Sequence, residues 1–160
     1  LNSIHHHWLY TPMQHNKKDI AILFYDGPCK LCNFAVRICR RYDKNNRLLY
    51  YPLGSTESKK IPDIAILLEK SDSVILWHQE KAYIYSDVLI RLSYILSGAA
   101  RLMRLLKIFP RPLRDSAYRV IARNRYKWFG QQDYCTLDGN DNPGIAQLRF
   151  REDINDKYLS

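Results

Sequence analysis

The stretch Ile20-Ala21-Ile22-Leu23-Phe24-Tyr25-Asp26-Gly27-Pro28-Cys29-Lys30-Leu31-Cys32 decides how this chain reads. An apolar run ends in Asp-Gly-Pro, and two cysteines follow at Cys-x-x-Cys spacing. The run predicts a buried strand over 20–25. Pro28 suits a first helical turn, so a helix is expected from Pro28 to about Tyr42. The first N–H groups of a helix lack intrahelical partners, and the macrodipole adds partial positive charge there. A thiolate at that end is stabilised and becomes available for exchange. Lys30, beside Cys29, adds charge of the same sign.

Outward from the motif, Leu31, Ala35, Ile38, Cys39 and Tyr42 keep the 3.6-residue period and are expected to face the core. Residues 47–52 read as a second strand ended by Pro52. A helical turn or two is expected around Ile64–Leu68. Ser73–Trp77 and Lys81–Tyr85 form a hairpin signal across His78-Gln79-Glu80. A helix follows, with Ser86 as its expected N-cap and Gly98 as its stop. The order is strand, helix, strand, helix, strand, strand, helix. It predicts an α/β fold with a thioredoxin-like core, a βαβ unit followed by ββα.

Beyond the core, residues 101–128 carry nine Lys and Arg against Asp115 alone, so most of the net +9 has one location. Two basic helices are expected, split by Pro110-Arg111-Pro112. In the first, Arg101, Arg104 and Lys107 share one face, and Leu102, Leu105, Leu106 and Phe109 take the other. In the second, Leu113, Ala117, Val120, Ile121 and Trp128 are expected to pack inward, with Gly130 at the end. The division of the chain is then a leader over 1–18, the core over 19–98, a basic helical extension of the same domain over 99–130, and a polar tail over 131–160.

With 46% hydrophobic and 26% charged residues the chain is composed as a soluble globular protein, and no apolar run approaches the ~20 residues of a membrane span. No secretory signal precedes the first strand, so a cytoplasmic location is expected. Met13 is the expected natural start. Four cysteines in such a setting favour catalysis, a metal or plain burial over a disulfide scaffold. His5-His6-His7 lies in a tail and reads as incidental. A structural zinc site needs four ligands, and no second Cys-x-x-Cys or Cys/His pair stands at ligand spacing, so no metal is assigned.

Asp26-Gly27-Pro28-Cys29-Lys30-Leu31-Cys32-Asn33 resembles the Asp-x-x-Cys-x-x-Cys signature of the DCC family of thiol-disulfide oxidoreductases. Tyr85-Ser86-Asp87 with its apolar helix resembles the family's central segment. Phe109 to Asp115 and Ala122 to Gly130 resemble its C-terminal segment. The likeness covers roughly residues 19–135 and implies a thioredoxin-like fold with dithiol chemistry. One departure stands out. Thioredoxin-like enzymes carry a cis-proline before the third strand, and here that place reads Lys70-Ser71-Asp72-Ser73-Val74.

On this reading the chain is an enzyme. Cys29, expected to be exposed, attacks a disulfide, and Cys32 resolves the mixed disulfide. The pair itself is the redox group, with no dissociable cofactor. Asp26 either takes a proton from Cys32, or caps the helix or holds the Asp-Gly-Pro turn, the structural role being favoured. Lys30 either tunes the thiolate or is a solvated side chain, and Pro28 supports the first helical turn. Ser73, Ser86 and Asp87 are the substrate-facing candidates, the last two at a helix start that would suit an anion. Partners would be a disulfide-bearing protein or small thiol and a dithiol electron donor. The alternative is a non-enzymatic adaptor whose basic tail docks on an anionic membrane surface or a partner protein. Nucleic acid is disfavoured, because no recognised motif accompanies the charge. Cys39 reads as core, and Cys135 as an extra thiol or as inert.

Overall fold

The computed structural model describes residues 20–131 apart from 56–57, 60 and 71–72. The leader with its three histidines and the tail with Cys135 lie outside the described residues.

Strand β1 (Ala21–Tyr25) is buried on both faces, as its unbroken apolar run requires. Ala21, Leu23 and Tyr25 enter one core layer, and Ile22 and Phe24 the other. β1 pairs in parallel with β2 (Leu48–Pro52) and antiparallel with β3 (Ile75–His78). β3 then pairs antiparallel with β4 (Lys81–Ile84), which gives the sheet order β2-β1-β3-β4. Gln79 and Glu80 both take positive φ, the geometry that lets a two-residue loop follow the strand twist. Helix α1 (Lys30–Tyr42) makes the crossover from β1 to β2. The buried carboxylate of Asp43 accepts the N–H groups of Arg47 and Leu48 at 3.0 and 2.8 Å and fixes the turn into β2.

Helix α2 (Pro62–Lys70) covers the Ile22–Phe24 face through Ile64. Helix α3 (Ser86–Ile95) joins α1 on the opposite face through Val88, Leu92 and Ile95. This sheet order with its helix placement is the thioredoxin-like core expected from the sequence.

Beyond the core the packing departs from expectation. Residues Gly98–Ile108 form a 3₁₀ helix, in which every third side chain shares a ridge. Ala100 is buried, with Met103 and Leu106 half-buried along the same ridge. A second ridge carries Arg101, Arg104 and Lys107. The third, Leu102, Leu105 and Ile108, is 58–76% exposed. Gly98 starts this segment at φ +63°, where a Cβ would stand 3.2 Å from the Tyr42 ring.

Helix α4 (Arg111–Phe129) lies the other way round from the expected orientation. Leu113, Ala117, Val120, Ile121 and Trp128, read as inward-facing, are exposed. Its inner face carries Arg114, Asp115, Tyr118, Ala122, Arg125 and Tyr126 instead. The cause is ionic: the surface it covers presents the carboxylates of Asp26 and Asp87 and the N-terminus of α3, which the inner polar residues pair. Apolar side chains there would have left those groups buried and unpaired.

In α1 the inward residues are Cys32, Asn33, Val36 and Cys39, while Ala35 and Ile38 are exposed. The side chain of Asn33 donates to the carbonyls of Gly27 and Cys29 at 2.6 and 3.1 Å, which turns that face of the helix inward.

Candidate active site

The Asp26-Gly27-Pro28 turn brings the chain from β1 directly to the first turn of α1. The Cys29 N–H closes the turn on the Asp26 carbonyl at 3.2 Å. Cys29 itself is the N-cap of α1, in an extended conformation, and its Sγ accepts the Cys32 N–H at 3.2 Å. A thiol sulfur thus takes the place of the usual cap oxygen. Cys32 stands one turn further on, its thiol hydrogen-bonded to Cys29, and both are free thiols. Asn33, which the sequence reading did not single out, ties both ends of this turn through its amide.

The expected exposure of Cys29 is not found. Cys29 is fully buried and Cys32 is 7% exposed. The cover comes from the C-terminal end of the described chain. Gln131 forms an antiparallel backbone bridge with Cys29, and Arg125 and Tyr126 of α4 both donate to the Asp26 carboxylate, Arg125 at 2.9 Å. Asp26 does not cap α1; it is the anchor for α4. The Val74 N–H, where the cis-proline loop of a thioredoxin-like enzyme would offer its backbone, is hydrogen-bonded to the Tyr118 hydroxyl. No cis peptide occurs among the described residues. Ser73 is buried in the same loop.

Burial pushes the Cys32 thiol strongly upward. Its hydrogen bond to Cys29 and its electrostatic interactions with Cys29 and Asp26 push the same way, against Arg125. Tyr118 is raised to about 12, first by burial and then by the charge of Cys32. Cys39, buried beside Asp43, is raised to about 12 by burial and by that carboxylate. These groups hold their protons at neutral pH.

The remaining candidates fall into two groups. Pro28 and Lys30 lie exposed beside the motif, and the Lys30 ammonium lies near Gly130. Ser86 and Asp87 are spent on α4. Tyr85, at φ +54°, is the N-cap of α3, so the expected Ser86 cap is one residue too late. Asp115 accepts the Ser86 N–H at 3.3 Å and the Ser86 hydroxyl. Asp87 pairs with Arg111 at 2.8 Å and Arg114 at 2.7 Å. The anion expected at the α3 N-terminus is therefore the protein's own. Among the described residues no three His, Cys, Asp or Glu side chains gather as metal ligands.

Arg125 and Tyr118 are the site residues that sequence reasoning missed. Both lie in the segment expected as basic helices. The available signal was their helical spacing with Ala122 and Tyr126, one face of α4 that is polar where a core face was expected.

Comparison with known proteins bears on the same residues. The uncharacterized protein YuxK of Bacillus subtilis (strain 168) is 33% identical over 117 residues, which are 72% of this chain and 85% of that protein. A chloroplastic DCC family protein of Arabidopsis thaliana is 32% identical over 123 residues, 72% of this chain and 69% of its own. No solved structure matches the chain significantly. Residues 23–131, from β1 through the dithiol to the bridge at Gln131, match the DCC1-like thiol-disulfide oxidoreductase family, and the chain belongs to that family.

Proposed function

We propose that the protein cycles Cys29 and Cys32 between dithiol and disulfide, exchanging electrons with a disulfide-bearing protein or small thiol. The observation that carries this reading is the Cys29 sulfur seated as the cap of α1, with Cys32 hydrogen-bonded to it one turn away. In the reducing direction the Cys29 thiolate attacks a substrate disulfide and one substrate thiolate leaves. Cys32 then attacks the Cys29 sulfur, the internal disulfide forms, and the second substrate thiol departs. Asp26 is the acceptor for the Cys32 proton, since its charge bears on that thiol and it sits at the head of the same turn. Exchange with a partner as large as a protein requires Gly130-Gln131 to lift from Cys29. A dithiol donor re-reduces the pair, and the disulfide itself is the only redox group required.

The test is an equilibrium titration of the pair against glutathione, read by alkylation and mass spectrometry. A reversible Cys29–Cys32 disulfide between roughly −270 and −200 mV supports the reading. A pair that forms none, or activity that survives Cys29→Ser, sinks it.

A second reading concerns location, and one observation favours it. The exposed ridge Leu102-Leu105-Ile108 runs beside the basic ridge of the same 3₁₀ helix, a pairing that suits an anionic membrane surface. Arg104 and Lys107 are partly engaged by Ser93 and Tyr94, so the apolar ridge is the cleaner target. Leu102→Gln with Leu105→Gln should abolish sedimentation with anionic vesicles. Equal sedimentation of the variant, or none by the unchanged chain at low salt, removes this reading. No helix among the described residues is long and apolar enough to cross a membrane.

A further inference from the structure

The fold answers the cations of the basic segment unevenly. On α4, Arg111, Arg114 and Arg125 are paired with Asp87 and Asp26. On the 3₁₀ helix, Arg101, Arg104 and Lys107 have no carboxylate within ion-pair distance among the described residues. Two of these three are nonetheless held in place. The Arg104 guanidinium lies 4.4 Å from the centre of the Tyr94 ring and donates through Nε and Nη2 to the Ser93 carbonyl at 3.2 and 3.0 Å. The Lys107 ammonium lies 4.9 Å from the same ring centre and donates to the Tyr94 hydroxyl at 2.7 Å. Tyr94 stands on the last turn of α3 and is 44% exposed.

Cations gathered on one ring repel each other, and an anion between them removes that repulsion. The potential converges on the Tyr94 hydroxyl. The Lys107 hydrogen bond, and after it the charges of Lys107, Arg104 and Arg91, hold that phenol below its ordinary value, with burial opposing them. An ammonium, a guanidinium and a hydroxyl therefore meet on an exposed surface. A phosphate, with several acceptor oxygens, can take all three. The next ridge of the same 3₁₀ helix narrows the choice. Leu102, Leu105 and Ile108 are aliphatic and exposed. A soluble phosphate leaves that ridge in water, whereas a phospholipid meets both: its phosphate faces the cations and its acyl boundary takes the ridge.

We infer that Tyr94, Arg104 and Lys107 form a binding site for the phosphate of an anionic phospholipid, with Leu102, Leu105 and Ile108 entering the acyl boundary beside it. The inference rests on the membrane reading above and adds to it a headgroup site of defined residues. A diffuse attraction to the surface counts every exposed Lys and Arg alike. A site counts those fixed on Tyr94, and it uses the hydroxyl, which carries no charge of its own to a diffuse attraction.

The test is sedimentation of the full chain with vesicles of phosphatidylcholine and phosphatidylglycerol at low salt. Arg104→Gln with Lys107→Gln should lower the vesicle affinity about tenfold or more. Tyr94→Phe, which keeps the ring and removes the hydroxyl, should lower it by a smaller factor. Arg123→Gln with Lys127→Gln removes the same charge from exposed positions of α4 and should cost much less than the first pair. Equal losses in the two paired variants mean diffuse attraction and overturn the site. If Leu102→Gln with Leu105→Gln abolishes sedimentation but Arg104→Gln with Lys107→Gln leaves it unchanged, the site is wrong and the membrane reading stands. If the unchanged chain does not sediment, both fall. Glycerol phosphate, set against chloride at equal ionic strength, separates the sources of phosphate. It should not release the chain from vesicles; selective release assigns the cluster to soluble phosphate and overturns the lipid. Should the paired variant fail to fold, Tyr94→Phe decides, and an unchanged affinity there overturns the proposal.

Discussion

The Arg125 guanidinium holds the Asp26 carboxylate at 2.9 Å across 99 residues of chain, and by that contact the end of α4 is fastened to the turn that carries the dithiol. Both side chains are largely buried, at 10% and 15% exposure, so solvent screens the pair little. Breaking a buried pair from one side leaves the other charge unpaired and costs about 3–5 kcal/mol. Asp26→Asn and Arg125→Met should each destabilise the fold on that order. The double variant should lose less than the two singles together, and a double-mutant cycle in urea measures the coupling. Strictly additive losses would deny the pair.

The same contact sets access to the thiols. With Cys29 fully buried under Gln131, alkylation of the native chain by iodoacetamide should be slow, and Arg125→Met should accelerate it at Cys29. Cys39 should change less between the two, since neither Arg125 nor Gln131 pairs with a residue beside it. Site-resolved mass spectrometry reads the two rates separately.

Alkaline pH should unfold the protein. Cys39 and Tyr118 are raised to about 12, and Tyr50 and Cys32 are raised as well, all chiefly by burial. In the unfolded chain Cys39 loses its proton near 9.0, while the native chain keeps it to about 12. The native state then binds more protons than the unfolded state, so stability falls as pH rises through that window. Each such group contributes on the order of 1 kcal/mol per pH unit. Urea midpoints should be flat below pH 8 and fall above 9. Cys39→Ala should shallow the slope, and an unchanged slope would place the buried protons elsewhere.

Asn33→Leu should lower stability by about 1–3 kcal/mol, because the Gly27 carbonyl would lose its buried donor. The same change should shift the redox equilibrium of the neighbouring pair, since the turn that sets the Cys29 geometry is no longer pinned. Equal stability and equal redox behaviour would show that the turn stands without it.

What the sequence disclosed follows from how local each signal is. The unbroken run of β1, the Asp-Gly-Pro turn and the hairpin at Gln79-Glu80 are read from neighbouring residues, and each lies where expected. The parallel pairing of β1 with β2 followed from the helix between them, whereas the sheet order came from the structure. Helix α4 failed the same reading because periodicity locates an apolar face without saying what that face meets. Its inner surface is decided by Asp26 and Asp87, carboxylates far away in the chain. Exposure of Cys29 failed for the same reason: the cap at the start of α1 is local, and the strand-like cover from Gln131 is not. Asn33 gave no pattern at all, being a lone polar residue whose partners are carbonyls behind it.

The covering of Cys29 and Cys32 by α4 and Gln131 also has an order in time. A ribosome makes the dithiol well before its cover, with the whole of α2, the hairpin, α3 and the 3₁₀ helix between them. At about 5–20 residues per second, that interval lasts several seconds or more. For that time the two sulfurs are without the cover of α4 and Gln131. Whatever thiol-reactive reagent surrounds the growing chain meets the pair then, before α4 docks.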